Sequence, residues 1–184
     1  MLITIIIIAI IVLLVLFVIG IYNSLIKGRL SCDEAFSTMD VYMKKRFDLI
    51  PNLVETVKGY AKHEAETLEK VVMARNGSLQ GVDLAQAAKD ENQISGALRQ
   101  IFALSESYPE LKANTNFMDL MESLKGIEGE IAQSRKYYNA VVKEYNTKIQ
   151  VVPSNIIANM FGFKEKEMFL VSDEVERKNV KVSF

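Results

Sequence analysis

The chain contains few residues that could catalyse a reaction or bind a metal ion. Its single histidine, His63, begins an H-E-x-x-H zinc motif with Glu64, but the fifth position is Thr67 and the second histidine is missing. A di-iron site in a helical bundle needs paired Glu-x-x-His motifs, so one histidine cannot build it. Phosphate-binding glycine loops and the G-x-S-x-G nucleophile elbow are absent from the sequence. The sequence therefore predicts a protein that is not an enzyme and that holds no metal ion or cofactor.

The charged residues give no other indication of a site. The formal net charge is −1, from 22 basic and 23 acidic residues, so no long-range field attracts nucleic acid, and we expect no nucleic-acid partner. The acidic residues are scattered opposite the apolar helix stripes, where we expect them to be solvated. Cys32 is the only cysteine, which excludes an intramolecular disulfide, and we expect it to be a small buried helix residue.

One junction combines residue types that can bind a partner. Arg46, Asp48, Pro51 and Asn52 lie within seven positions of the sequence. Ordinary turn chemistry explains them too, with Asp and Asn as caps and Pro at the start of the next helix. Both interpretations place a turn or sharp kink between Asp48 and Asn52. These four residues form the first candidate interaction site.

The first 26 residues contain no charged side chain and are rich in Ile, Leu and Val. About 20 such residues cross a bilayer as a helix, so the sequence predicts a transmembrane anchor. A cleaved signal peptide would need basic residues before this run and a small-residue cleavage site after it, and neither is present. Because Lys27 and Arg29 follow the run, we expect the N-terminus outside and the C-terminal domain in the cytoplasm.

After the anchor, the apolar residues recur at helical spacing, which predicts an all-α protein. The first stripe continues the membrane helix to Phe47. A second helix should end at Asn76-Gly77, a third should begin at an Asp83 cap and run to Pro109, and a fourth should run from near Asn116 to Pro153. The predicted core residues are Leu98, Ile101, Leu124, Ile127 and Ile131.

Short connections between long helices predict an antiparallel up-down four-helix bundle that continues from the transmembrane helix. The expected organisation is an anchor over residues 1–26, a cytoplasmic bundle over 27–152, and a short apolar helix with an irregular tail over 153–184. Tyr138-Asn139 and Tyr145-Asn146 repeat at a spacing of seven within the fourth helix, and we expect core tyrosines whose hydroxyls reach water or a helix end.

In an up-down bundle the chain after Pro153 returns to the membrane surface. The apolar side chains there would lie beside lipid headgroups, against a second copy of the chain, or over the bundle itself. They form the second candidate interaction site, which comprises Ile156, Ile157, Met160, Phe161 and Phe163.

Several motifs in order along the chain resemble the bacterial LemA family. They comprise Tyr22-Asn23-Ser24-Leu25 after the anchor, residues 45–60, residues 108–114, residues 138–146, and Pro153-Ser154-Asn155 leading to Phe161-Gly162-Phe163. One difference is Phe47, where the family pattern leads us to expect Tyr. The resemblance implies a single-pass protein of the bacterial inner membrane with a cytoplasmic helical bundle, and relatives linked to membrane organisation, including magnetosome formation. It implies no catalytic residue.

Two functions are compatible with these features. The first is a membrane-anchored helical scaffold that assembles with itself or organises membrane-protein partners, in contact with membrane lipid. The alternative is a regulatory module that binds a peptide or a membrane-protein client, in association with a membrane protease. An exposed apolar groove would favour the second function.

Overall fold

The computed structural model describes residues 1–77 and 84–170, apart from the side chains of residues 76, 77, 85, 86 and 89. The described part is all-helical and contains no β-strand, as the sequence predicts. The helices are α1 (Leu2–Tyr60), α2 (Ala65–Gly77), α3 (Leu84–Ser107), α4 (Pro109–Lys112), α5 (Thr115–Gln150) and α6 (Ser154–Met160). The cap predicted at Asp83 and the end of the tail lie outside the described residues.

Helix α1 is the one helix among the described residues that is long and apolar enough to cross a membrane. Its large apolar side chains from Leu2 to Phe17, and Ile19, are exposed, as expected for a segment that faces lipid. The N-terminal apolar helix is therefore confirmed.

The prediction for Asp48 to Asn52 was a turn or a sharp kink; the turn is wrong, and the kink stays a prediction. Helix α1 continues through Pro51 and ends at Tyr60. A proline inside a helix costs about 3 kcal/mol because it removes a hydrogen bond and crowds the preceding turn. Burial of Ile50, Leu53 and Val57 outweighs this cost, since each fully buried side chain contributes about 1.5–3 kcal/mol.

The chain divides into two compact units. The first unit contains Met1–Met39 and Ser134–Met168, and the second contains Asp40–Gln133 with the described residues from Phe169 onward. Helices α1 and α5 each contribute to both units. The domain boundaries predicted at residues 26 and 152 stay predictions.

The first unit is built on α1, α5 and α6. Its buried apolar side chains include Leu25, Cys32, Met39 and Val142. The rings of Phe36 and Tyr138 meet edge to face with their centroids 5.8 Å apart. Cys32 is a buried free thiol, as predicted.

The second unit has a continuous apolar core from α1 to α5. The predicted core residues Leu98, Ile101 and Leu124 belong to it. Ile131 is also buried, whereas Ile127 is only half-buried, so its predicted core position is wrong. Ile127 and Ile131 lie one helical turn apart on the same face of α5. Residues on one helix face can still be buried to different extents, because the neighbouring helices do not cover every turn equally.

The start of α5 is held by a side-chain cap. The Asn114 side chain accepts a hydrogen bond from the Phe117 backbone N–H at 2.9 Å, which satisfies a free donor of the first turn. The same amide donates to the Tyr60 hydroxyl at 2.8 Å, at the end of α1. The start predicted near Asn116 is therefore correct to within one residue of Thr115.

Candidate functional sites

A buried arginine lies at the centre of the second unit. The Arg46 side chain on α1 is 1% exposed and forms an ion pair with Glu91 on α3, which is 5% exposed. Its Nη1 donates to Glu91 Oε1 at 3.0 Å and its Nη2 donates to Glu91 Oε2. Nη1 also donates to Glu128 Oε1 on α5 at 2.8 Å and to Ser95 Oγ at 3.3 Å. One guanidinium therefore joins α1, α3 and α5, and we call this group the Arg46 cluster.

The electrostatics of the Arg46 cluster keep the guanidinium charged. Burial by itself would lower the pKa of Arg46, but the adjacent carboxylates of Glu91 and Glu128 outweigh burial and raise that pKa above its ordinary value. An arginine that keeps its proton cannot serve as a general base. Glu128 is 34% exposed and remains partly solvated, so Glu91 is the partner that depends most on Arg46. The arrangement can position helices, because one charged guanidinium binds side chains of two other helices.

The residues of the first candidate interaction site are not brought together as a turn. Arg46 points inward, and its partners belong to the chain itself. Asp48, Pro51 and Asn52 are exposed along the uninterrupted helix α1. The Thr56 hydroxyl donates to the Asn52 carbonyl at 2.8 Å, an ordinary contact between successive helical turns. Any partner of this site would therefore contact the exposed residues, and Arg46 would not reach it.

The second candidate interaction site lies on and after α6. Ile157 is buried, whereas Ile156, Met160 and Phe161 are 62%, 63% and 52% exposed. Phe163 is half-buried, and Gly162 before it has a φ of 70°, a backbone conformation that a glycine adopts without strain. This glycine ends the short helix, as the sequence predicts.

The tyrosine and asparagine repeat of α5 binds the segment that follows α6. The Tyr145 hydroxyl donates to the Lys164 carbonyl at 3.1 Å, and the Tyr138 hydroxyl donates to the Glu167 carbonyl at 2.8 Å. The Asn146 amide pairs with the Lys166 backbone in both directions, at 2.8 and 2.9 Å. We call residues 164–167 the C-terminal arm. The hydroxyls therefore meet this arm, and the prediction that they reach water or a helix end is wrong.

Burial raises the pKa of both Tyr138 and Tyr145. The neutral hydroxyl is the form that donates to the C-terminal arm, so these two hydrogen bonds persist at neutral pH. Lys166 adds an ion pair with Asp33 on α1, at 2.6 Å between Nζ and Oδ1. The arm is thus attached through backbone and side chain together.

A groove lies where α1 and α2 meet in the second unit. It has a volume of about 420 Å³. Its apolar lining comes from Val54, Ala61, Ala65, Leu68 and Val72, and Lys58, Lys62 and Glu69 add charged groups. Spacing along one helix could not indicate this groove, because its walls come from two helices joined by a short connection.

His63 lies exposed in the connection between α1 and α2. Within residues 1–77 and 84–170, no three His, Cys, Asp or Glu side chains are placed so that they could hold a metal ion. No residue of the described part is therefore assigned to a metal or a cofactor.

Sequence reasoning missed the buried acidic residues of α3, one of which is Glu91 of the Arg46 cluster. We expected all acidic residues on solvated faces, whereas Glu91 and its neighbour Asp90 are each 5% exposed. The available signal was the position of Glu91 on the otherwise apolar stripe of α3. A buried carboxylate at such a position requires a cation, and the partner, Arg46, is 45 residues away.

Comparison with known proteins gives a consistent family assignment. The model of the LemA family matches residues 35–184. A protein LemA of Metamycoplasma hominis is 27% identical over 170 residues, which is 90% of this chain and 75% of that protein. The magnetosome protein MamQ 2 of Paramagnetospirillum magneticum is 26% identical, and the magnetosome protein MamQ of Magnetospirillum gryphiswaldense is 24% identical.

Both MamQ alignments cover 80% of this chain and 64% of the relative, so the chain spans slightly less than two thirds of those proteins. The family match covers most of the present chain, and the apolar helix α1 has the length and composition of a membrane span. This membrane-associated helical protein belongs to the LemA family.

Proposed function

We propose that the protein is a non-enzymatic scaffold, anchored in the bacterial inner membrane, that assembles with itself or organises membrane-protein partners at the cytoplasmic face. The observation that carries the proposal is the continuity of α1. The same helix contains the apolar span and supplies buried residues to both units, for example Leu25 in the first and Leu53 in the second. Because one helix contains both the anchor and part of each core, the protein is suited to hold an assembly at a membrane.

The finer architecture belongs to this proposal. We expect the long helices to pack as antiparallel neighbours in a bundle. The Arg46 cluster supports this arrangement, since it joins α1, α3 and α5. The short connections at residues 61–64 and 113–114 support it too, because short links make successive helices reverse direction.

Self-assembly is tested by the size of the full-length protein in mild detergent. Light scattering coupled to gel filtration separates the mass of the protein from that of the micelle. A uniform particle of several copies is the expected result. A monomer over the accessible concentration range would contradict self-assembly and leave the organisation of other partners as the scaffold function.

The proposed orientation rests on Lys27 and Arg29 after the span. Met73 is 61% exposed on α2 and suits a cysteine probe in a Cys32→Ala background. In intact cells, Met73→Cys should resist a membrane-impermeant thiol reagent, and it should react once the cells are permeabilised. Ready labelling in intact cells would contradict a cytoplasmic second unit.

The groove between α1 and α2 favours a second candidate function, a regulatory module that binds a peptide or a membrane-protein client. Its apolar lining with three charged groups suits an apolar segment of a client. A photocrosslinker at Val72, which lines the groove, should then give one discrete product in cells. The matched control is a crosslinker at the next residue, Met73, which does not line it.

The mass of the crosslinked product distinguishes the two functions. A product with a different protein, formed from Val72 and not from Met73, would support the binding module. A product with the mass of two copies of the chain would support self-assembly. Crosslinked products of equal yield from both positions would show that the groove does not bind a specific partner.

A further inference from the structure

Helix α6 exposes an apolar face that the described part of the chain does not cover. Ile156 and Met160, one turn apart on α6, and Phe161 just after it are each more than half exposed, whereas Ile157 and Ala158 are buried. Val152, just before the helix, is 76% exposed. Exposed apolar side chains grouped on and around a short helix mark a contact with another apolar phase or molecule.

Aromatic contacts fix the position of this face beside α1. The ring of Tyr22 lies 4.9 Å from that of Phe161 and 5.7 Å from that of Phe163, measured between centroids. The Arg29 guanidinium carbon lies 5.7 Å from the centre of the Phe163 ring. These residues all belong to the first unit, so the aromatic residues that directly follow α6 are placed against a known turn of α1.

That turn of α1 lies at the edge of the bilayer. From Leu2 to Ile19 a helix extends about 27 Å at 1.5 Å per residue, close to the roughly 30 Å thickness of the hydrocarbon core. Tyr22 follows this stretch, at the level where tyrosines line the membrane interface, and the first charged side chain is Lys27. Phe161 packs on Tyr22, so the end of α6 directly before it is level with the lipid headgroups.

We infer that the exposed face of α6 inserts into the headgroup region of the bilayer that α1 crosses, as a second membrane contact of the same chain. Ile156, Met160 and Phe161 enter the boundary between headgroups and acyl chains. Lys164 follows α6 in sequence and Lys27 follows Tyr22 on α1; both are exposed and favour anionic lipid. The contact requires that α1 spans the membrane, and it does not depend on self-assembly.

The contact is tested by the depth of a fluorescent probe in the full-length protein. Single cysteines at Ile156 or Met160, in a Cys32→Ala background, are labelled with the environment-sensitive dye NBD. The protein is reconstituted in vesicles of phosphatidylcholine and phosphatidylglycerol that carry a doxyl quencher near the head or near the end of the acyl chain. The matched control is Tyr137→Cys, because Tyr137 is 59% exposed and lies about 20 Å along α5 from Gln150.

The expected result is blue-shifted emission and strong quenching at both α6 positions, more from the shallow doxyl group than from the deep one. The control position should emit as in water and remain unquenched. Water-like emission at α6 without quenching would overturn the inference. Blue-shifted emission without quenching, which weakens as the protein is diluted with lipid, would overturn it in favour of a second copy of the chain.

A second variant tests which side chains make the contact. Replacement of Ile156 and Met160 by Ser removes exposed apolar groups and leaves the buried Ile157 in place, so circular dichroism should be unchanged. With the probe at Val152, this variant should lose most of the quenching. Unchanged quenching would show that Ile156 and Met160 do not make the membrane contact. Self-assembly is read separately, from particle size, so failure of one proposal is distinct from failure of the other.

Discussion

Replacement of Arg46 by Met should strongly destabilise the protein. The substitution keeps a long side chain and removes the only cation found within hydrogen-bonding distance of Glu91 in the described part of the chain. Glu91 is 5% exposed, so its carboxylate stays buried without a counter-charge. Breaking a buried ion pair by removal of one partner costs about 3–5 kcal/mol. We expect a loss within this range in the free energy of unfolding.

The assay is urea unfolding of the full-length protein in mild detergent, followed by helical circular dichroism. A surface control is Glu66→Gln, which removes an exposed ion pair with Lys70 four residues along α2. Solvent screens such exposed pairs and they contribute little, so the control should be nearly silent. A double variant, Arg46→Met with Glu91→Leu, replaces the pair by apolar side chains and should recover most of the loss.

The double variant decides whether charge is the cause. If Arg46→Met costs no more than the surface control, the Arg46 cluster does not stabilise the second unit. If the single variant is destabilised and the double variant is equally so, the loss comes from packing and not from the unpaired carboxylate. Either result would refute the electrostatic reasoning.

Four further predictions concern packing and the C-terminal arm. Leu124→Ala should cost about 2–5 kcal/mol in urea unfolding, whereas Lys125→Ala on the exposed face should be nearly silent. Gly28→Leu should destabilise by about 1–3 kcal/mol, because a Cβ there would already lie 3.1 Å from the Tyr145 ring, whereas Gly59→Leu meets open space and should not destabilise. Tyr145→Phe should speed amide exchange in the C-terminal arm at neutral pH. Because burial raises the pKa of Tyr145, the stabilisation from its hydroxyl is complete below pH 10 and should be lost as pH rises through the raised pKa, as followed by tyrosinate absorbance and unfolding.

Much of the secondary structure could be predicted because it depends on local patterns. The uncharged N-terminal run indicates the membrane helix, and the apolar spacing indicates α3 and α5 close to their observed bounds. Pro153 and Gly162 enclose the short helix α6, as their backbone preferences require. Pro51 misled the same reasoning, because the burial of Ile50 and Leu53 in the core outweighs a local preference.

The candidate sites were less predictable because they depend on distant partners. The motif around Arg46 indicated an unusual residue, but only the tertiary structure shows that its partners are Glu91 and Glu128 on two other helices. Likewise the spacing of Tyr138 and Tyr145 places them on one face of α5, but no local pattern specifies which backbone they bind.

The sequence by itself determined that the protein is helical, that an N-terminal helix is long and apolar enough to span a membrane, and that Ile156, Met160 and Phe161 share a short apolar segment. The physical reason is that helix formation and bilayer crossing follow from the types and spacing of neighbouring residues. Tertiary structure decided where α1 ends, which charges are buried, and that α6 packs beside Tyr22. These outcomes depend on which distant side chains compete for the same buried volume, and that competition is settled only when the helices pack.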